Sequence, residues 1–270
     1  MSGLHLRAAS AAMALALIYA CFYFAGKDGL AVASGLAILR VLFEYSRLHY
    51  DSPSLRWFFF LVCSGALLAM HFGQNNPIVI LFGVSVLTFS LLYRARSQEI
   101  PVEKLYFQFL TKCFGVFYCV WLPLFVLRLL YLGEDIFWFV LFLFLVFLGD
   151  TVAYLVGARY GRHRLIEVVS PKKSIEGAVA ALVSTTAVSV IVGWSMSENL
   201  LLFFILGFVT SLLAQSGDLV ESLIKRASHV KDSGQIMPGH GGLMDRLDGV
   251  YWAAPFYYWF VSQVLFKASH

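Results

Sequence analysis

Residues 136–158 read IFWFVLFLFLVFLGDTVAYLVGA. As far as Leu148 the run is apolar on every face. It has neither the period-two alternation of a half-buried strand nor the polar stripe of a surface helix. A helix crossing a bilayer needs about 20 mostly apolar residues, and this run supplies them. The same texture recurs near Ala8–Gly26, Leu30–Phe43, Trp57–Gly73, Pro77–Tyr93, Cys113–Leu132, Ile175–Trp194, Leu200–Gln215 and Val250–Phe266. Together these runs predict an all-α, polytopic integral membrane protein with about nine transmembrane helices. The second run is the weakest, being short and interrupted by Arg40. A transmembrane barrel would instead show short alternating strands. The N-terminal run exceeds the roughly 7–15 apolar residues of a signal peptide, so it reads as a retained helix.

Composition agrees. Of 270 residues, 60% are hydrophobic and 13% charged, against about 25% charged in soluble domains. The mean hydropathy is +0.77. The net charge of +4 comes without a basic, aromatic-interleaved face, which argues against nucleic acid as a partner. Cys21, Cys63, Cys113 and Cys119 are scattered, with no metal-ligand spacing. A cytoplasmic N-terminus and nine spans put every Lys and Arg on the cytoplasmic side except Lys27, Lys267, Arg40 and Arg128. That is the asymmetry expected of inner-membrane topology. With no internal repeat and no linker, 1–270 reads as one membrane domain. Residues 1–135 form its N-terminal helices, and 136–270 form the half that carries the chemistry.

The polar residues gather late. Asp218, Glu221, Ser222 and Lys225 stand at i, i+3, i+4 and i+7 just past an apolar run, so a helix presents them on one face. An interfacial helix end with ordinary ion pairs has the same pattern. Lys231-Asp232-Ser233-Gly234 and Pro238-Gly239-His240-Gly241-Gly242 follow. So glycine-rich a segment is a poor helix, and its backbone N–H groups can face a phosphate; a plain connecting loop is the alternative. Asp245 and Asp248 then share the first turns before the last run, with Arg246 between them. Four carboxylates with interspersed Lys and Arg suit a Mg²⁺–polyphosphate, the combination that nucleotidyl transfer uses. Asp150, inside the sixth run, is a functional candidate because an acid in the bilayer is costly, although a Thr or Tyr partner would make it structural. Ser170-Pro171-Lys172-Lys173 precedes a helix start. Its lysines suit phosphates or anionic head groups, and equally the positive-inside bias.

Taken together, Ser222-x-x-Lys225-Arg226, Lys231-Asp232, Pro238-x-His240-Gly241-Gly242 and Asp245-Arg246-x-Asp248 resemble the signature of the phosphatidate cytidylyltransferases, the CDP-diacylglycerol synthases. Gly149-Asp150-Thr151-x-Ala153-Tyr154 and Ser170-Pro171-Lys172-Lys173-x-x-Glu176-Gly177 look like two further motifs of that family. The resemblance covers the C-terminal half, with the signature at 222–248; the N-terminal half is similar only in its apolar character. Gln215 departs from a stretch that is usually apolar or small.

The resemblance implies transfer of a cytidylyl group from CTP to phosphatidate, giving CDP-diacylglycerol and pyrophosphate in phospholipid biosynthesis. It implies Mg²⁺, with a monovalent cation such as K⁺ beside it. Asp218 and Asp245 are the implied metal ligands, with Asp248 and Glu221 next. Lys225, Arg226, Lys172 and Lys173 would contact phosphates, and His240 with Gly241 and Gly242 would shape the nucleotide pocket. Ser170, Ser222, Lys231 and Arg246 complete the expected substrate-binding set. The expected partners are CTP, phosphatidate and bilayer lipid, with a homodimer as the one protein assembly entertained. The expected location is a bacterial inner membrane with the site facing the cytoplasm. A CTP-dependent kinase of a polyprenol-type lipid alcohol shares this logic. An ion-coupled transporter using Asp150 and Asp218 is the reading from another class, and it leaves the basic segment unexplained.

Overall fold

The computed structural model describes residues 2–50, 52–73, 77–98, 100–234 and 241–266, without the side chains of 2–19, 77 and 97–98. Its helices are α1 (Ser2–His49), α2 (Pro53–Phe72), α3 (Pro77–Gln98), α4 (Val102–Val116), α5 (Leu122–Leu129), α6 (Phe137–Tyr160), α7 (Ile175–Ser195), α8 (Leu200–Ala227) and α9 (Met244–Phe260). The chain is an integral membrane protein of helical architecture. By length and composition, seven segments among the described residues are fit to cross a bilayer: Ala20–His49, Pro53–Phe72, Ile78–Arg96, Val102–Leu129, Phe137–Tyr160, Ile175–Ser195 and Leu200–Ala227.

Seven is fewer than the nine expected, and the differences lie at the two ends. The run near Ala8–Gly26 falls mostly on residues whose side chains lie outside the description. The last run belongs to α9, which has 17 residues and ends in a π turn at Val261–Leu265. Its 17 residues, with a polar first turn, are short for a span of about 20 apolar residues. In between, the helices run longer than the apolar runs. Lys27, Asp28 and Gly29 are helical, and α1 bends instead at Gly26 (φ 58°, ψ −141°), a conformation open to glycine. The fifth run begins at Val102 rather than Cys113, and a π turn at Phe117–Trp121 joins α4 to α5. Polar residues at interfacial helix ends do not stop a helix, so hydropathy alone set these ends too short.

The chain divides into two compact units, 1–127 with 233–244, and 128–232 with 245–270. In the first, buried Tyr45 stacks on Phe59 and Tyr118 at centroid separations of 5.9 and 6.3 Å, and its hydroxyl donates to Thr111 O at 2.8 Å. That hydrogen bond is what lets a tyrosine be buried there.

In the second unit α6, α7 and α8 pack tightly through small residues. Ser189 Oγ donates to Phe203 O at 2.7 Å and Thr185 Oγ1 to Leu145 O at 3.4 Å. Close packing and interhelical hydrogen bonds hold helices together in lipid, where no hydrophobic force separates helix from solvent. Ser174 caps α7 through Gly177 N, and Asn199 caps α8 through Leu201 N.

One element departs from the all-α expectation. The segment after α6, read as a loop, is a hairpin of β1 (Arg164–Ile166) and β2 (Ser170–Ser174), antiparallel with Arg164 opposite Ser174. Glu176 holds its base, accepting from His163 N at 3.2 Å and contacting His163 Nδ1 at 2.7 Å. Arg226 Nε donates to Val169 O at 3.3 Å in the turn region.

Candidate functional site

The second unit contains a cavity of about 590 Å³ to which every one of its longer elements contributes. Helix α6 supplies Asp150 with an apolar wall of Ala153, Tyr154 and Ala158. The hairpin supplies Arg164, Lys172 and Lys173; α8 supplies Gln215 and Asp218; and α9 supplies Asp245, Arg246 and Asp248. Its lining combines charged residues with small and apolar ones. Such a mixture suits a ligand with an anionic part and an apolar part.

The carboxylates converge because of how α8 and α9 meet. Asp218 and Glu221 are one turn apart on α8, as their i, i+3 spacing required. Gly217 lets α9 approach closely: a Cβ there would stand 2.6 Å from Asp248 O and from Trp252 Cβ. Asp248 therefore lands beside α8. One ligand atom from each of Asp218, Glu221 and Asp248 lies within 4.8 Å of the others. Oxygens bound to one Mg²⁺ at about 2.0–2.1 Å lie at most about 4.2 Å apart, so small side-chain rotations let these three share an ion.

Their electrostatic state points the same way. Glu221 is 1% exposed, and neither of its carboxylate oxygens has a hydrogen-bond partner. Lys225 Nζ lies 2.6 Å from Glu221 Oε2 as an ion pair. Burial first, then the charges of Asp218 and Asp150, push the Asp248 carboxyl well above the usual carboxylate range. A buried acid left unsatisfied among other acids is costly, and a bound cation would remove that cost. The donor set therefore fits a hard metal ion.

The basic residues are interleaved with these acids. Lys173 forms an ion pair with Asp218. Lys225 Nζ donates to Asp245 Oδ1 at 2.8 Å while touching Glu221, so it ties α8 to the start of α9. Gln215, read from sequence as a departure, donates through Nε2 to Ala178 O at 3.3 Å and to Ser211 Oγ at 3.2 Å.

Of the residues expected from sequence, Asp218, Asp245, Asp248, Lys172, Lys173 and Arg246 line the cavity, and Glu221 and Lys225 adjoin it through their partners. The acids differ in their contacts. Asp245, named first with Asp218, stands against Lys225, and the metal-spaced group is Asp218, Glu221 and Asp248. Ser170, Ser222, Arg226 and Lys231 do not line the cavity. Gly241 and Gly242 are built into the first unit, and His240 lies outside the described residues. Asp150, a candidate from sequence, also lines it, and the structure adds Arg164 and Gln215. Asp150 carried a signal, as an acid in an apolar run. Arg164 carried none beyond its place in a basic loop.

A model of the cytidylyltransferase family matches residues 5–264, nearly the whole chain. The chain belongs to the cytidylyltransferase family. Among its curated relatives, a phosphatidate cytidylyltransferase of Staphylococcus aureus (strain COL) is 43% identical over 120 residues, which is 43% of this chain and 46% of the relative. One from Staphylococcus haemolyticus is 42% identical over the same length, and one from Mycobacterium bovis is 39% identical over 139 residues, covering 50% of this chain and 45% of that protein. This cytidylyltransferase-family chain thus spans about half the length of the curated relatives it matches.

Proposed function

We propose that the protein transfers a cytidylyl group from CTP to phosphatidate, forming CDP-diacylglycerol and pyrophosphate. The observation that carries this reading is the cavity in which Asp218, Glu221 and Asp248 stand at metal-ligand spacing among Lys172, Lys173 and Arg246. The names of the curated relatives supply the two substrates.

In this reading Asp218, Glu221 and Asp248 hold Mg²⁺, with a monovalent cation such as K⁺ nearby. The metal, when bound, supplies positive charge to phosphate oxygens on which negative charge develops. Lys172, Lys173 and Arg246 hold the phosphates of CTP and of the lipid against their mutual repulsion. A phosphatidate phosphate oxygen forms the new bond to the α-phosphorus of CTP. The bond from that phosphorus to the bridging oxygen breaks, and pyrophosphate carries away the electron pair. The attacking phosphate is already anionic, so no side chain need act as general base; positioning and charge neutralisation carry the rate. Lys225, held between Glu221 and Asp245, keeps the acidic helix ends in register. The wall of Ala153, Tyr154 and Ala158 faces the glycerol end of the lipid and excludes water from it.

The site lies on the cytoplasmic side of a bacterial inner membrane, with the N-terminus on that side, in keeping with the distribution of Lys and Arg. The test is an assay of purified protein with phosphatidate and CTP labelled at either the α- or the γ-phosphate. The expected result is Mg²⁺-dependent α-label in the lipid product. Label from the γ position alone would establish a lipid kinase instead, and no label in lipid would overturn both.

A further inference from the structure

Glu44 is a buried carboxylate, 1% exposed, in the last turns of α1, and nothing in the proposed reaction uses it. Every oxygen it has is engaged. Oε1 accepts from Arg40 Nε at 3.1 Å, one turn back on the same helix. Oε2 accepts from Ser233 Oγ at 3.2 Å and from Met244 N at 2.9 Å. Ser233 and Met244 are the two ends of the signature loop, and they lie 189 and 200 positions further along the chain. Met244 is the first residue of α9. Its N–H is one of the donors that a helix start leaves unmatched, and a carboxylate there also suits the helix dipole.

The described residues at the loop's two ends are shaped to admit this carboxylate. A Cβ on Gly234 would stand 2.7 Å from Glu44 Oε1. One on Gly242 would stand 2.6 Å from Glu44 Oε2 and 2.1 Å from Ser233 Oγ. Gly241 has φ +81°, which also favours glycine. Two of these glycines are thus explained by Glu44 and a third by its own backbone angle, without reference to a nucleotide.

We propose that Glu44 is a positioning residue for the reaction proposed above. It closes both ends of loop 233–244 with one carboxylate and so fixes the start of α9, whose next residue is Asp245 and whose second turn brings Asp248. The inference rests on that reading of the reaction, because its catalytic arm needs a turnover to measure. Its structural arm does not.

The experiment combines amide hydrogen exchange with kinetics on the full-length protein, for wild type, Glu44→Gln, Glu44→Asp, Ser233→Ala and the Glu44→Gln/Ser233→Ala pair. In Glu44→Gln, exchange in peptides covering 241–244 should rise at least about tenfold, while peptides from α7 and α8 stay unchanged. The kcat for cytidylyl transfer should fall about tenfold to a hundredfold, the scale on which small misplacements act. The KM for CTP should change less, and Glu44→Asp should recover part of the loss. Ser233→Ala should add little on top of Glu44→Gln, because both break the same tie. Unchanged exchange at 241–244 overturns the tie, and so do fully additive effects. Loosened exchange with wild-type kcat overturns the positioning role. If Glu44→Gln fails to insert, Glu44→Asp and Ser233→Ala carry the same comparison. If wild type transfers no cytidylyl group, the proposed function fails, and the exchange result alone decides whether Glu44 holds the loop.

Discussion

Glu44 in the first unit and Glu221 in the second are both carboxylates, each 1% exposed, yet their surroundings are opposite. Glu44 has an arginine, a hydroxyl and a backbone N–H on its two oxygens. Glu221 has no hydrogen bond on either oxygen, has Lys225 in charge contact, and has Asp218 and Asp248 crowding it. The protein completes the first site by itself and leaves hydrogen-bonding capacity unmet at the second. A buried acid that the fold satisfies serves the fold, whereas one that the fold leaves unsatisfied marks where a ligand must supply what is missing.

The contrast can be broken most severely at Asp218. Asp218→Asn should cut turnover by about 10³-fold, the upper end of what a lost electrostatic partner costs, while the protein still inserts and folds. Near-normal Mg²⁺-dependent transfer by that variant would end the metal assignment. Chelation comes next. Removing divalent ions should stop turnover, and adding Mg²⁺ at about a hundred times its dissociation constant should restore it while stabilising the folded protein by about 2.7 kcal/mol. That shift, read from thermal unfolding in detergent, should persist in Glu44→Gln and be lost in Glu221→Gln.

A smaller effect separates the two glutamates without metal. Glu44→Gln should destabilise by about 1–3 kcal/mol, because charged hydrogen bonds are lost around groups that stay buried. Glu221→Gln should leave metal-free stability equal or higher, since it removes one of three crowded acids while Lys225 keeps Asp245. Equal losses in both variants would erase the distinction. At the bottom of the scale, Lys27→Ala should change stability by no more than about 0.5 kcal/mol and leave turnover unaltered, as measured in the same two assays.

How much of this was legible depends on the distance between partners. The acidic face of α8 was readable because Asp218, Glu221 and Lys225 are spaced by helical turns, and a helix is a local object. That Asp248 joins them required only that α9 start soon after. The pairing of Lys225 with Asp245 was not readable, since it spans 20 positions. The hairpin was missed because Ser170-Pro171-Lys172-Lys173-Ser174 contains a proline and no apolar alternation, so nothing in it resembles a strand. Its pairing comes from β1 and from the His163–Glu176 clasp. Glu44 was missed altogether. Arg40 registered as a flaw in a weak span, although an acid and a base one turn apart in an apolar helix are a signal that both have work there. The identity of Glu44's other partners could not be read at all, because they are encoded near the far end of the chain.

That distance has a consequence during synthesis. A ribosome adding about 5–20 residues per second makes Glu44 roughly 10–40 seconds before Met244, to which it will bond. Through that interval the carboxylate enters the membrane on a nascent helix without its later donors. Arg40, four residues earlier and 3.1 Å away, is the one companion already made. The pair can enter the bilayer as a neutral unit, and the carboxylate then gains Ser233 and Met244 on its other oxygen while keeping Arg40.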